Sequence, residues 1–114
     1  MTTTSTERAM TRERNQAIAR AILAQLGGQR FAVMTGARQL LAIDSGLRFR
    51  IPAASDKINL VKVTLAADDT YTVEFYTVRG TSSRTVAAID GLYADGLARV
   101  FTDRTGLHTG LGSN

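Results

Sequence analysis

Arg48 and Arg50 stand two residues apart in Leu47-Arg48-Phe49-Arg50-Ile51. In an extended backbone alternate side chains leave on the same side, so both guanidinium groups share one face while Leu47, Phe49 and Ile51 share the other. Lys62 in Leu60–Leu65 and Tyr76 in Tyr71–Val78 obey the same alternation. Cations hold phosphates and an aromatic ring stacks on a base. A sheet face carrying Arg48, Arg50, Lys62 and Tyr76, with Thr64 and Thr72, therefore has the chemistry to track a nucleic-acid strand. Glu74 is placed to neutralise Lys62. Arg38 closes Met34-Thr35-Gly36-Ala37-Arg38, where a glycine-centred turn with Thr35 and Arg38 is a smaller anion-binding candidate; the plainer reading is a corner between two strands. The first helix carries a third basic patch, Arg8, Arg12 and Arg20, diluted by Glu7 and Glu13.

Catalytic chemistry is thinly supplied. The single histidine, His108, stands in a glycine-rich tail with no partner to orient it, whereas a general base must be held within hydrogen-bond reach of its proton. The absence of cysteine excludes a thiol nucleophile, a disulfide framework and cysteine zinc ligation. Asp68-Asp69 is the one adjacent acidic pair. No ligand series follows it, and aspartate is a preferred turn residue, so it reads as a turn. None of the ten glycines falls into a P-loop or dinucleotide-binding spacing. The expectation is a non-catalytic protein with no metal and no cofactor.

The chain has 114 residues, 44% of them hydrophobic and 21% charged, with a formal net charge of +4. These proportions suit one soluble globular domain. Residues 1–57 are basic on balance and residues 58–114 slightly acidic, and arginine outnumbers lysine twelve to two. Arginine grips phosphates and carboxylates with a planar fork, so this bias favours a polyanionic partner; a GC-rich coding sequence produces the same bias without one. No apolar run approaches the roughly 20 residues needed to cross a bilayer, and the first residues carry no secretory pattern. The expected setting is a bacterial cytoplasm.

The elements that must position these residues follow from periodicity. Residues 1–6 read as a frayed tail, 7–109 as a single α+β domain and 110–114 as a second frayed tail. A helix is predicted over Glu7–Leu26, with Met10, Arg14, Ile18, Ile22 and Leu26 on one stripe and Gly27-Gly28 ending it. Phe31–Thr35 reads as a short strand. Gln39–Ile43 and Leu47–Ile51 form a hairpin through a three-residue loop, Asp44-Ser45-Gly46, pairing Ile43 with Leu47 and Leu41 with Phe49. Leu60–Leu65 and Tyr71–Val78 form a second hairpin. A five-residue loop pairs Leu65 with Tyr71, Val63 with Val73 and Val61 with Phe75, which keeps each apolar set on one face. Arg79–Arg84 reads as a polar loop and Thr85–Ile89 as a short fifth strand. Asp90 then caps a helix bearing Tyr93, Leu97, Val100 and Phe101, which Gly106 stops. The architecture is an antiparallel sheet of four to five strands with an N-terminal and a C-terminal helix on one face, the other face left open to water.

Several of these segments resemble a family of small proteins of bacteriophages and other bacterial mobile elements. The matching residues are Leu26-Gly27-Gly28, Phe31, Met34-Thr35-Gly36-Ala37, Leu47–Ile51, Ile58-Asn59, Val63-Thr64-Leu65, Tyr71, Val73-Glu74-Phe75, Gly91–Asp95, Phe101-Thr102 and Thr105-Gly106-Leu107. The resemblance spans about residues 20 to 111. It implies a phage or mobile-element origin and a basic residue at Arg38, and it carries no activity. Three functions follow as expectations. The first is an accessory protein binding DNA or RNA through Arg48, Arg50, Lys62, Tyr76 and Arg38. The second is a module that inhibits or redirects a host protein through an apolar patch at Leu40, Leu60 and Tyr76. The third is a self-assembling homodimer or virion component. None requires a membrane.

Overall fold

The computed structural model describes residues 5–52 and 54–107; His108 and the C-terminal tail lie outside the described residues. Helix α1 (Ser5–Leu26) is followed directly by α2 (Gly28–Thr35), strands β1 (Arg38–Ile43) and β2 (Gly46–Arg50), a 3₁₀ turn at Ser55–Lys57, strands β3 (Leu60–Leu65), β4 (Tyr71–Arg79) and β5 (Ser82–Leu92), a second 3₁₀ turn at Ala94–Gly96, and α3 (Leu97–Thr105). The five strands form one antiparallel sheet in the order β1-β2-β3-β4-β5. The expected α+β architecture is the one found.

The β3–β4 register is the predicted one throughout, from Leu60 opposite Tyr76 to Leu65 opposite Tyr71. Its loop is held by Asp68, whose carboxylate accepts from the Thr70 N–H at 3.1 Å and the Thr70 hydroxyl at 2.6 Å. These bonds hold the Asp68 carboxyl below its ordinary range. Asp68-Asp69 is a turn, and Asp69 takes its left-handed position with φ 67°.

Phe31–Thr35 is helical, not extended. A five-residue apolar stretch fits either period, and long-range packing decides. Phe31 and Thr35, one helical turn apart, are the buried residues of α2, while Val33 between them is 75% exposed. Phe31 stacks edge-on against Phe49 of β2 at 5.3 Å and against Phe101 of α3 at 5.2 Å, and Phe49 meets Phe101 at 6.0 Å. This three-ring cluster joins two helices to the sheet, each edge-on pair contributing about 0.5–1.5 kcal/mol beyond its buried area.

The β1–β2 hairpin also differs by one residue. Its loop is two residues, Asp44-Ser45, so Ala42 faces Leu47 and Leu41 faces Arg48. Ser45 carries the positive φ, 56°, expected of Gly46. Gly46 is required for another reason: a Cβ there would lie 2.2 Å from the Val63 carbonyl oxygen of β3. The turn is gripped from outside as well. The Ser45 N–H donates to Asn15 Oδ1 of α1 at 2.9 Å, and Leu65 N–H donates to the Ser45 carbonyl at 2.8 Å.

Three further boundaries move. Gly80-Thr81 closes β4–β5 as a tight turn, so the polar stretch Ser82–Arg84 is strand. Asp90 lies inside β5, and α3 starts at Leu97 with Leu97, Phe101 and Thr105 buried; Tyr93 stays 72% exposed because it precedes the helix. Along α1 the first fully buried residue is Ala19, and Met10 on the predicted apolar stripe is 64% exposed.

One repetition escapes the periodicity argument. Phe31-x₃-Thr35-Gly36 and Phe101-x₃-Thr105-Gly106 end α2 and α3 alike. Each threonine hydroxyl donates to the phenylalanine carbonyl at 2.7 Å and accepts the N–H two residues on. Gly36 (φ 74°) and Gly106 (φ 77°) supply the left-handed caps.

Candidate nucleic-acid interface

The buried apolar side chains of β2, β3 and β4 are Leu47, Phe49, Val61, Val63, Val73 and Phe75, and α1 packs over the β1–β2 part of the face they share. Their alternating neighbours form the opposite face. Cross-strand partners project to the same side, so the register assigns that face row by row. One row runs Arg38–Arg50–Leu60–Tyr76–Thr85, and the next Leu41–Arg48–Lys62–Glu74–Ala88. All five residues singled out in the sequence therefore meet on one face.

Arg38 reaches it by a route the sequence did not reveal. A bulge sets Gln39 and Leu40 against Phe49 alone, with Gln39 at φ 54°, and this returns Arg38 to the side of Leu41. Arg38 then sits opposite Arg50 at the sheet edge instead of serving a phosphate-cradling turn. The Thr35 hydroxyl is spent within the α2 cap, so the Thr35-Gly36 corner offers no free donor from that side chain. Gly36 is required there by its φ and by Pro52, whose Cγ would lie 3.0 Å from a Cβ.

The charges on the face are not equivalent. Lys62 is paired with Glu74 at 3.6 Å. The Tyr76 hydroxyl is pushed up to about 12 by burial first, and then by Glu74 through hydrogen bonding and charge. Glu74 thus engages both neighbours on the β3–β4 side. Among the described residues no carboxylate pairs with Arg38, Arg48 or Arg50. The free cations concentrate on β1 and β2, where Arg38 and Arg48 are exposed and Arg50 half-buried. A shallow depression of about 300 Å³ lies among Arg48, Arg50, Leu41 and Leu60.

Two features of the surface lie outside the sequence reading. A groove of about 620 Å³ runs between α1 and the edge strand, with Arg8 and Arg12 on one wall and Leu40 and Leu41 on the other. At the far end of the β4–β5 hairpin, Lys57, Arg79 and Arg84 surround a depression of about 360 Å³. Pairing of β4 with β5 sets Arg84 near Arg79, and the Thr77 hydroxyl of β4, bonded to the Lys57 carbonyl at 3.1 Å, holds the Lys57 turn beside them. No group of three or more His, Asp or Glu residues is assembled among the described residues, and no helix there is long and apolar enough to cross a membrane. No protein-family model, curated protein or solved structure matches the chain.

Proposed function

We propose that this chain is a non-catalytic accessory protein that binds nucleic acid on the open face of its sheet, in keeping with the phage and mobile-element resemblance. The observation that carries the reading is the gathering of Arg38, Arg48 and Arg50, free of carboxylates, on a face without a helix over it. Strand spacing is about 4.8 Å, so Tyr76 lies about 10 Å from Arg50 across Leu60. Phosphates over β1 and β2 leave bases within reach of Leu60 and the Tyr76 ring, the division of labour used for single strands. Lys62 contributes little, because Glu74 already neutralises it.

Fluorescence anisotropy with labelled single- and double-stranded DNA and RNA, across a salt series, tests this. Three arginine–phosphate contacts predict a log–log salt slope of about −2 on a single strand. Arg48→Ala with Arg50→Ala should flatten it to about −0.7. Binding that ignores salt, or that survives the double substitution, refutes the proposal.

A second reading has one specific observation behind it. Leu40 and Leu41 are 38% and 48% exposed on an edge strand beside the α1 groove, an arrangement suited to a host protein or a second copy of the chain. Sedimentation that is independent of concentration removes the second copy.

A further inference from the structure

We infer that the tip of the β4–β5 hairpin is a phosphate-binding site, formed by Lys57, Arg79 and Arg84 with the Ser82 hydroxyl. It is independent of the face described above, because it lies on the other side of the sheet. Along β4, Val73, Phe75, Thr77 and Arg79 alternate onto the core side. The pairing adds Arg84 opposite Thr77 and Ser82 opposite Arg79. The result is a depression of about 360 Å³ whose lining includes three cations and three hydroxyls and no carboxylate. Its volume is at the small end of ligand sites, which suits a phosphate group carrying little else.

The third cation is brought there at a conformational cost. Lys57 sits at φ 62° and its neighbour Asp56 at φ 58°, two consecutive non-glycine residues in the left-handed region. The Thr77 hydroxyl holds them, donating to the Lys57 carbonyl at 3.1 Å and the Asp56 carbonyl at 3.4 Å. Strain of this kind persists only where surrounding contacts hold it. Two arginine forks, an ammonium group and a serine hydroxyl are the donor set that phosphate oxygens accept from. The nearest acid by sequence, Asp56, does not line the depression.

The test titrates the isotopically labelled full chain, followed by amide NMR, with three probes: inorganic phosphate, a 5′-phosphorylated trinucleotide and its 5′-hydroxyl counterpart. The site predicts saturable shifts at Lys57, Arg79, Ser82, Ser83 and Arg84 with phosphate. Arg79→Gln with Arg84→Gln should weaken phosphate at least about tenfold. Both positions are exposed, so the fold should survive, which circular dichroism verifies. Arg48→Ala with Arg50→Ala should leave the phosphate-induced shifts at Arg79, Ser82 and Arg84 unchanged. Preference for the 5′-phosphorylated strand over its 5′-hydroxyl counterpart, read at these amides, identifies a nucleic-acid end as the source. Equal binding of the two strands, with saturable inorganic phosphate binding, identifies a small phosphate. Shifts that chloride reproduces at equal ionic strength, or undiminished binding in the folded glutamine variant, overturn the inference.

Discussion

Arg38 and Arg50 stand directly opposite one another across the first two strands, two like charges with no carboxylate between them. Such a pair opposes folding, by roughly 0.2–1 kcal/mol on a sheet surface. A polyanion lying over it would remove that cost. Arg38→Glu should therefore raise the denaturant midpoint while lowering nucleic-acid affinity at least about tenfold. Urea titration and anisotropy on the same preparation measure the two effects, and a loss in both would leave the pair with a purely structural role.

The three-ring cluster should dominate stability. Phe101 is 1% exposed and touches both other rings. Phe101→Ala is expected to cost about 3–5 kcal/mol, against under about 1.5 for a volume-conserving change elsewhere in the core. Chemical denaturation of Phe101→Ala and of Ile58→Leu, a core residue outside the ring cluster, ranks the two.

Gly46 lets the start of β2 close on β3, because its missing Cβ leaves room for the Val63 carbonyl. Gly46→Ala should destabilise by about 1–3 kcal/mol or more, since the obstructing atom is main chain and cannot swing away. The largest amide shifts are expected at Ser45, Val63 and Thr64. Shifts confined to position 46 would show that the strands part freely.

Asn59 clamps Val78 with both ends of its amide, Nδ2 donating to the Val78 carbonyl at 2.9 Å and Oδ1 accepting the Val78 N–H at 2.8 Å. Asn59→Ala removes both bonds and should cost about 1–3 kcal/mol. The Val78 amide should then exchange hydrogen faster, while amides of the β1–β2 hairpin should not.

Tyr76 provides an alkaline probe. Its hydroxyl, pushed up to about 12 from 10.0, keeps its proton better in the fold than in the unfolded chain. The stabilisation is therefore complete below about pH 10 and is lost as pH climbs towards 12. Absorbance at the phenolate band should show a late-titrating tyrosine that Tyr76→Phe removes. Glu74→Gln should bring its titration to lower pH, though burial still keeps it above 10.

Much of the fold and part of the candidate site were legible in the residue order. The β3–β4 register was determined there, because the apolar sets flanking Ala66–Thr70 coincide in only one alignment. So was the separation of Arg48 and Arg50 from Leu47, Phe49 and Ile51, which alternation alone enforces. So were the ends of α1 and α3, where glycine takes a conformation other residues resist. What only the tertiary structure decided involves partners far apart in the chain. Phe31–Thr35 became a helix because Phe31 had to meet Phe49 and Phe101. The β1–β2 loop shortened because Asn15 and Leu65 hold Ser45. Arg38 joined the arginine face through a bulge, strand pairing set Arg84 near Arg79, and the Thr77 hydroxyl held the Lys57 turn beside them. Periodicity reports which side of its own segment a residue occupies. Where two segments meet is settled by packing volume and by the need of main-chain groups for partners, and neither is a property of one segment.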